Sequence, residues 1–422
     1  MIPKNSFVNN ISIFLLGLVG LSLGYVLATT TYSLTFLYQG LELISLGLIF
    51  FALFRLISFK IEYSYFSLIA ISYLLWQLII LIRGDFTDIT YFDLKQLLFD
   101  LNYGGFVLLI PIVAFIPVKL IVLKKLFNAT LLLSGLFLFL AILNFQTLLN
   151  PDLLDLDSLG MVEAYGKYFV FPIGLLAMNF DLLERKHRIL VIVSLIAILC
   201  FGIFRARRGL IFMQLSVIVV SSIIFFYKTN RKLSISIFVL YIITLLFVYL
   251  SNSAEFLKLS FFTNISSRGL ENTRQFVEGC FFNDMTRLDW IVGKGYNSGY
   301  RCPGIDDSIF KDGIRKVIET DYLQLIMVGG IINVILLLLI VLPAIYLGIF
   351  DSGSMVAKTM SVWICIWLLA LYPANVYSLN LYHISVWICS GFCYSKSFRQ
   401  LTQEEIRLYF LKEINLKRPS LK

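Results

Sequence analysis

Guanidinium groups are the side chains best suited to chemistry in a chain with little other polar sequence. Arg205, Arg207 and Arg208 crowd the turn Phe204-Arg205-Ala206-Arg207-Arg208-Gly209, which joins two apolar runs. Arg268, Arg274, Arg287, Arg301 and Arg315 are spread through 251–318, the one long polar stretch. A guanidinium makes bidentate, charge-assisted bonds to phosphate oxygens and can stabilise charge developing on a leaving group. The competing explanation is snorkelling to lipid phosphates, which accounts for one arginine at a helix end better than for three together.

Carboxylates supply the complementary chemistry. Glu319 and Asp321 stand at the mouth of an apolar run, at a depth where a general base can meet a hydroxyl. They are two residues apart, so on a helix they face different ways, and at most one of them serves. In Ser266-Ser267-Arg268-Gly269-Leu270-Glu271-Asn272-Thr273-Arg274, Ser267 can cap a helix on which Glu271 pairs with Arg274. Arg268 then faces a ligand from the helix start. In Asp289-Trp290-Ile291-Val292-Gly293-Lys294-Gly295-Tyr296 the GKG lacks the flanking pattern of a phosphate-binding loop. Its glycines fit a tight turn, with Trp290 and Tyr296 either at the membrane interface or stacked on sugar rings. Asp306 to Ile318 reads as a helix lying along the membrane. Cys280 and Cys302 are either bridged or free. The only histidines are His187 and His383, so neither a histidine-containing outer metal cluster nor a cofactor is expected.

The elements that position these groups are membrane helices. The chain has 422 residues, 59% hydrophobic and 14% charged, with a mean hydropathy of +0.86, outside the range of ordinary soluble proteins. Apolar runs of about twenty residues match a hydrocarbon core of about 30 Å. A β-barrel is excluded, because its strands would alternate polar and apolar residues. An all-α polytopic protein of about twelve spans follows. They are placed near 10–29, 36–57, 66–82, 104–118, 127–146, 166–180, 189–204, 210–227, 233–250, 322–347, 357–373 and 380–394. The chain thus divides into spans one to nine (1–250), an outer loop (251–318), the last three spans (319–394) and a basic tail (395–422).

Lys60, Lys119, Lys124, Lys125, Arg185, Lys186, Arg188, Lys228, Arg231 and Lys232 mark the cytoplasmic side with that tail. Segments 83–103, 147–165, 205–209 and 251–318 then fall outside, where basic residues need a reason. The net charge of +9 is spread over loops and tail, which fits anionic lipid better than nucleic acid. Gly329-Gly330, inside the tenth span, reads as close helix packing.

Three pieces together resemble the O-antigen and capsular polysaccharide polymerases of the Wzy type: FRARRG at 204–209, SRGLENTR at 267–274 followed by DWIVGKGY at 289–296, and ETDYLQLIMVGG at 319–330. The resemblance implies the membrane-embedded glycosyltransferase (GT-C-like) fold shared with O-antigen ligases. It implies metal-independent, inverting transfer of a glycan from a polyprenyl diphosphate carrier onto another lipid-linked repeat unit, at the periplasmic face of a bacterial inner membrane. Arg208 and Arg268 would stabilise the departing diphosphate, and Asp321 or Glu319 would take the proton. Arg205, Arg207, Arg274, Trp290 and Tyr296 would bind substrate, and a chain-length regulator would be a partner. Where the ligase relatives carry a histidine after the large loop, this chain has Thr320 and Asp321, which favours polymerase over ligase. A lipid-linked sugar flippase is the remaining alternative. It would bury charges at midplane, where Glu42 is the only obvious acid in a span.

Overall fold

Long apolar runs form the outer wall of a helical bundle, and among them the run Asp321–Phe350 alone carries an interior proline, Pro343. In this computed structural model the described residues are 4–30, 35–58, 64–86, 94, 97, 99–150, 155–205, 207–229, 273–303 and 313–412. The wall comprises α1 (Lys4–Thr30), α2 (Thr35–Leu56), α3 (Ser64–Ile82), α4 (Leu120–Leu143), α6 (Arg185–Phe204), α7 (Arg208–Thr229) and α10 (Asp321–Phe350). α5 (Leu156–Ala164) is short and precedes α6. Seven helices among the described residues are long and apolar enough to cross a membrane, and the chain reads as a multi-pass membrane protein. Phe54 and Ile142 are 82% and 75% exposed, which suits lipid as the surrounding solvent and not water. On the inner face of α1, a Cβ at Gly17 would lie 2.9 Å from the Ser45 carbonyl oxygen, and one at Gly20 2.5 Å from the Ser45 hydroxyl. Small residues there let α1 and α2 approach closely.

The expected twelve spans are corrected by the shape of the interior. Four further passes connect the same two ends on short or broken helices. Residues expected as span 104–118 form a 3-10 helix, Gly105–Phe115, containing Pro111. Span 166–180 is a π-helix (Tyr165–Val170), then Pro172, a short helix (Ile173–Ala177) and a 3-10 turn (Phe180–Leu182). Pro172 has no N–H to offer the ladder and so interrupts it. The last two passes are α11 (Met355–Ala370) and α12 (Leu381–Tyr394). At 1.5 Å per residue α12 is only about 21 Å long, less than the hydrocarbon thickness. All fourteen of its residues are buried, so protein and not lipid surrounds it. Irregular backbone at membrane depth is tolerated in such surroundings. The fifth pass begins at Leu120 and ends at Leu143, against the expected 127–146. Span 233–250 lies outside the described residues.

Polar segments sort to two ends. At one end Lys119 sits over the Phe7 ring, Ser58 N–H donates to the Phe115 carbonyl, Gln403 bonds Asp181, and Arg399 pairs with Asp351. α13 (Gln403–Lys412) packs on α4 there, so both described chain ends share that side. At the other end the described parts of 83–103, 147–165, 205–209 and 273–318 come together. Here α8 (Thr273–Asp284) and α9 (Arg287–Val292) cover the start of α10. β1 (Tyr300–Arg301) pairs antiparallel with β2 (Ile314–Arg315). The helix expected up to Ile318 is therefore not formed over 314–315, and 304–312 lies outside the described residues. Cys280 and Cys302 are joined as a disulfide, with Cα atoms 5.3 Å apart. In the chain-entropy account, closing a loop of this size contributes about 3 kcal/mol.

Candidate functional site

The arginine turn divides its three guanidiniums among three tasks. Arg205 caps α6 and is fully buried; its Nη1 donates to the Asn150 carbonyl at 2.5 Å and Nη2 to the Asp155 carbonyl at 3.1 Å. It ties the start of α5 to the end of α6. Arg207 pairs with Glu163, Nη2 to Oε2 3.5 Å. Arg208 opens α7 and is exposed at the rim. Gly209 follows because the chain passes directly under residues 373–374: a Cβ there would lie 2.5 Å from the Pro373 carbonyl oxygen.

Segment 371–380 is the keel of this end. Asp321 at the start of α10 is 1% exposed; its Oδ2 accepts the backbone N–H groups of Val376 at 2.5 Å and Tyr377 at 2.9 Å. Its own N–H donates to the Leu371 carbonyl. These three bonds fix the carboxylate and the start of α10 against segment 371–380. Glu319 is exposed, and Thr320 between them donates to Glu278 Oε1 at 2.7 Å.

Lys167, on the π-helix and 5% exposed, joins the same keel. Its ammonium donates to Asn102 Oδ1 at 2.5 Å and reaches Asn375 Oδ1 at 3.4 Å. Asp321, Glu163 and Asp100 lie within its electrostatic reach. A buried ammonium persists only with such partners. Asn375 also donates to Tyr103 Oη at 2.6 Å, leaving the phenolic proton to donate elsewhere. Burial, and then the Asp321 charge, push the Tyr103 phenol well above its ordinary range. It therefore remains a donor at neutral pH.

The keel floors a cavity of about 260 Å³. Its lining includes Asp100, Asn102, Tyr103, Tyr296, Lys316 and Gln324, with Tyr377 at the keel itself. Asp100 is half-buried; its Oδ1 accepts the Asn102 N–H at 2.7 Å. Tyr296 is fixed by its hydroxyl, which donates to the Leu97 carbonyl, and by its N–H to the Ile80 carbonyl. Aromatic faces beside amides and a carboxylate are the groups that hold a sugar ring and its hydroxyls.

The Gly-Lys-Gly turn explains Gly330, a helix break beyond the close packing expected of Gly329-Gly330; that packing is seen at Gly329, where a Cβ would lie 2.4 Å from Ile80 Cδ1 of α3. Gly330 has φ 68° and ψ −176°, so α10 is interrupted there. A Cβ at Gly330 would stand 2.1 Å from the Ile291 carbonyl oxygen. The interruption frees carbonyls inside the bundle, and each finds a donor. Lys294 N–H meets the Met327 carbonyl at 2.7 Å and Gly295 N–H the Val328 carbonyl at 3.0 Å. Trp76 Nε1 meets the Gly329 carbonyl and Asn333 Nδ2 the Leu325 carbonyl. Arg83 holds the turn from α3 by donating to the carbonyls of Val292 and Gly293, each at 2.7 Å. The Lys294 side chain pairs with Asp284.

The structure thus ties Asp321 to the keel and places Tyr296 in the cavity wall, while Arg207 is held by Glu163 and Arg208 stays at the rim. Trp290 stacks on Phe282 and is half-buried there. It does not line the cavity. Arg268 lies outside the described residues. Arg274 lies on α8, with its side chain outside the described set. Lys167, Asn102, Tyr103, Asp100 and Asn375 were missed by the sequence reading. The one available signal was a lysine within the apolar run expected as the sixth span. Among the described residues no three His, Cys, Asp or Glu side chains gather as a metal-ligating group. No protein-family model, curated protein or solved structure matches this chain.

Proposed function

We propose that the chain is a polysaccharide polymerase of the Wzy type, moving a glycan from a polyprenyl diphosphate carrier to a sugar hydroxyl of another lipid-linked repeat. The observation that carries this is the cavity between two polar segments, the described parts of 83–103 and 273–318, at one end of a lipid-exposed bundle. It is lined by Tyr103, Tyr296 and Tyr377 beside Asp100, Asn102 and Gln324. In this reading that end is periplasmic, and the sugar ring lies against the tyrosines. The diphosphate stays at headgroup level, within reach of Arg208, with Arg268, which lies outside the described residues, assigned to it by sequence alone. Their charge stabilises the oxygen that leaves with the bond's electron pair. The bundle holds two lipid-anchored reactants in line, which supplies the orientation term. Attack from the face opposite the leaving group inverts the anomeric centre.

Burial of Lys167 and Asp321 behind the cavity wall, where they bond Asn102 and the Tyr377 N–H, and not along a midplane path favours transfer chemistry over a flippase route. The test is elongation by purified protein of a synthetic polyprenyl-diphosphate-linked repeat unit. A ladder of lengthened lipid-linked products is expected. Intact starting material throughout would overturn the reading, and transfer only to a lipid A-core acceptor would replace it with the ligase.

A further inference from the structure

We propose that Asp100 is the general base that takes the proton from the acceptor hydroxyl, a role that rests on the polymerase reading. Four carboxylates stand near the site, and their surroundings separate them: Glu163 pairs with Arg207 and does not line the cavity. Asp321 is 1% exposed and its Oδ2 already accepts two backbone N–H groups. Glu319 is exposed and does not line the cavity. Asp100 lines the cavity and is half-buried. Its Oδ1 is held by the Asn102 N–H at 2.7 Å, while Oδ2 carries no hydrogen bond among the described residues. One oxygen is used for orientation and the other is presented to the cavity, the arrangement a positioned base requires.

The turn that carries Asp100 is rigid for identifiable reasons. Gly104 N–H closes it onto the Asp100 carbonyl at 2.8 Å. A Cβ at Gly104 would overlap that carbonyl oxygen at 2.2 Å, so only glycine fits. Asn102 is held from below by Lys167 and donates to Tyr25 Oη at 3.0 Å. Leu379 N–H adds a bond from the keel to the Leu101 carbonyl at 2.7 Å. Lys167 is thus a positioning residue for this turn.

In the transfer step the acceptor oxygen bonds the donor's anomeric carbon as the bond from that carbon to the diphosphate oxygen breaks. The bond's electron pair leaves on that oxygen. The acceptor proton passes to Asp100 Oδ2 and then to water at the cavity mouth. Tyr103, the next side chain but two, donates its phenolic proton to a sugar oxygen and fixes the ring.

The experiment measures initial elongation rates on a synthetic diphosphate-linked repeat with the full-length wild type, Asp100→Asn, Asp100→Glu and Asp100→Ala, each checked for an unchanged melting temperature. Asp100→Asn keeps the Oδ1 acceptor and is expected to lose about 10²–10⁴-fold in rate. Asp100→Glu is expected to keep part of the activity. Asp100→Ala is expected to recover rate when sodium formate supplies a carboxylate. Asp100→Asn elongating at wild-type rate would overturn the base assignment and leave the polymerase reading standing. So would Asp100→Ala that melts normally yet gains nothing from formate. An inactive wild type would overturn the polymerase reading, and the assignment with it.

Discussion

Two helices are interrupted inside the bundle, and the ways their loose ends are satisfied differ. Around Tyr165–Val170 the π-helix and Pro172 interrupt the regular ladder, the backbone re-forms its own bonds (Phe171 N–H to the Gly166 carbonyl), and a buried side chain is turned inward. Lys167 reaches Asn102 and Asn375, and through them the cavity wall. At Gly330 the opening is closed by a loop: the Gly293–Gly295 turn lies in the break, Lys294 and Gly295 donate N–H groups to two freed carbonyls, and the Trp76 and Asn333 side chains donate to two more. The first interruption places charge and hydrogen-bonding groups beside a cavity wall. The second holds a covering loop against the bundle. An interruption that carries a buried cation to a cavity wall is where chemistry is to be sought, and one whose donors only close the break is architecture.

Replacing the cation of the first interruption gives the largest expected effect. Lys167→Met removes the hydrogen bonds from Lys167 to Asn102 and Asn375, and a hydrogen bond to a charged group contributes about 1.5–3 kcal/mol. Thermal unfolding in detergent is expected to fall accordingly, with elongation abolished. Unchanged melting would show that the network around Asn102 and Asn375 does not depend on the ammonium.

The second interruption is expected to respond less and through backbone alone. Gly330→Ala places a side chain at positive φ and against the Ile291 carbonyl. Backbone strain of this kind costs about 1–3 kcal/mol. Faster hydrogen exchange of the Lys294 and Gly295 amides is the expected signature, because those protons face Met327 and Val328 across the break. Retained protection of both amides would separate the loop from the break.

The smallest stability effect is expected at the rim. Arg208→Ala removes an exposed side chain and should change stability by no more than about 0.5 kcal/mol. Chain growth should nevertheless stop, while single lipid-linked repeats accumulate. Normal polymer length in that variant would remove Arg208 from the diphosphate site and return it to lipid anchoring.

Apolar runs and loop charges made much of this legible. The seven long helices coincide with seven expected spans, and the polar segments expected on one side do meet at one end. The short passes were expected near their observed lengths, but hydropathy reports burial and does not tell a helix surrounded by protein from one facing lipid. α12 is fourteen residues long and fully buried, with His383, Ser385 and Ser390 among its apolar residues. Gly329-Gly330 was read as packing, which Gly329 shows, while the break at Gly330 leaves the same trace in sequence. Asp321 was visible as a carboxylate at the right depth, but its two backbone donors come from residues 376 and 377, beyond any local pattern. Lys167, Asn102 and Asn375 are far apart in the chain, so no motif could join them.

The account turns on where the sugar sits. Electron cryomicroscopy of the purified protein with a non-hydrolysable polyprenyl-diphosphate-linked oligosaccharide would show this directly. Density for a sugar ring between Tyr103 and Tyr296, with a hydroxyl beside Asp100 and the phosphates toward Arg208, is the predicted result. Sugar density elsewhere, with that cavity holding only water, would contradict it.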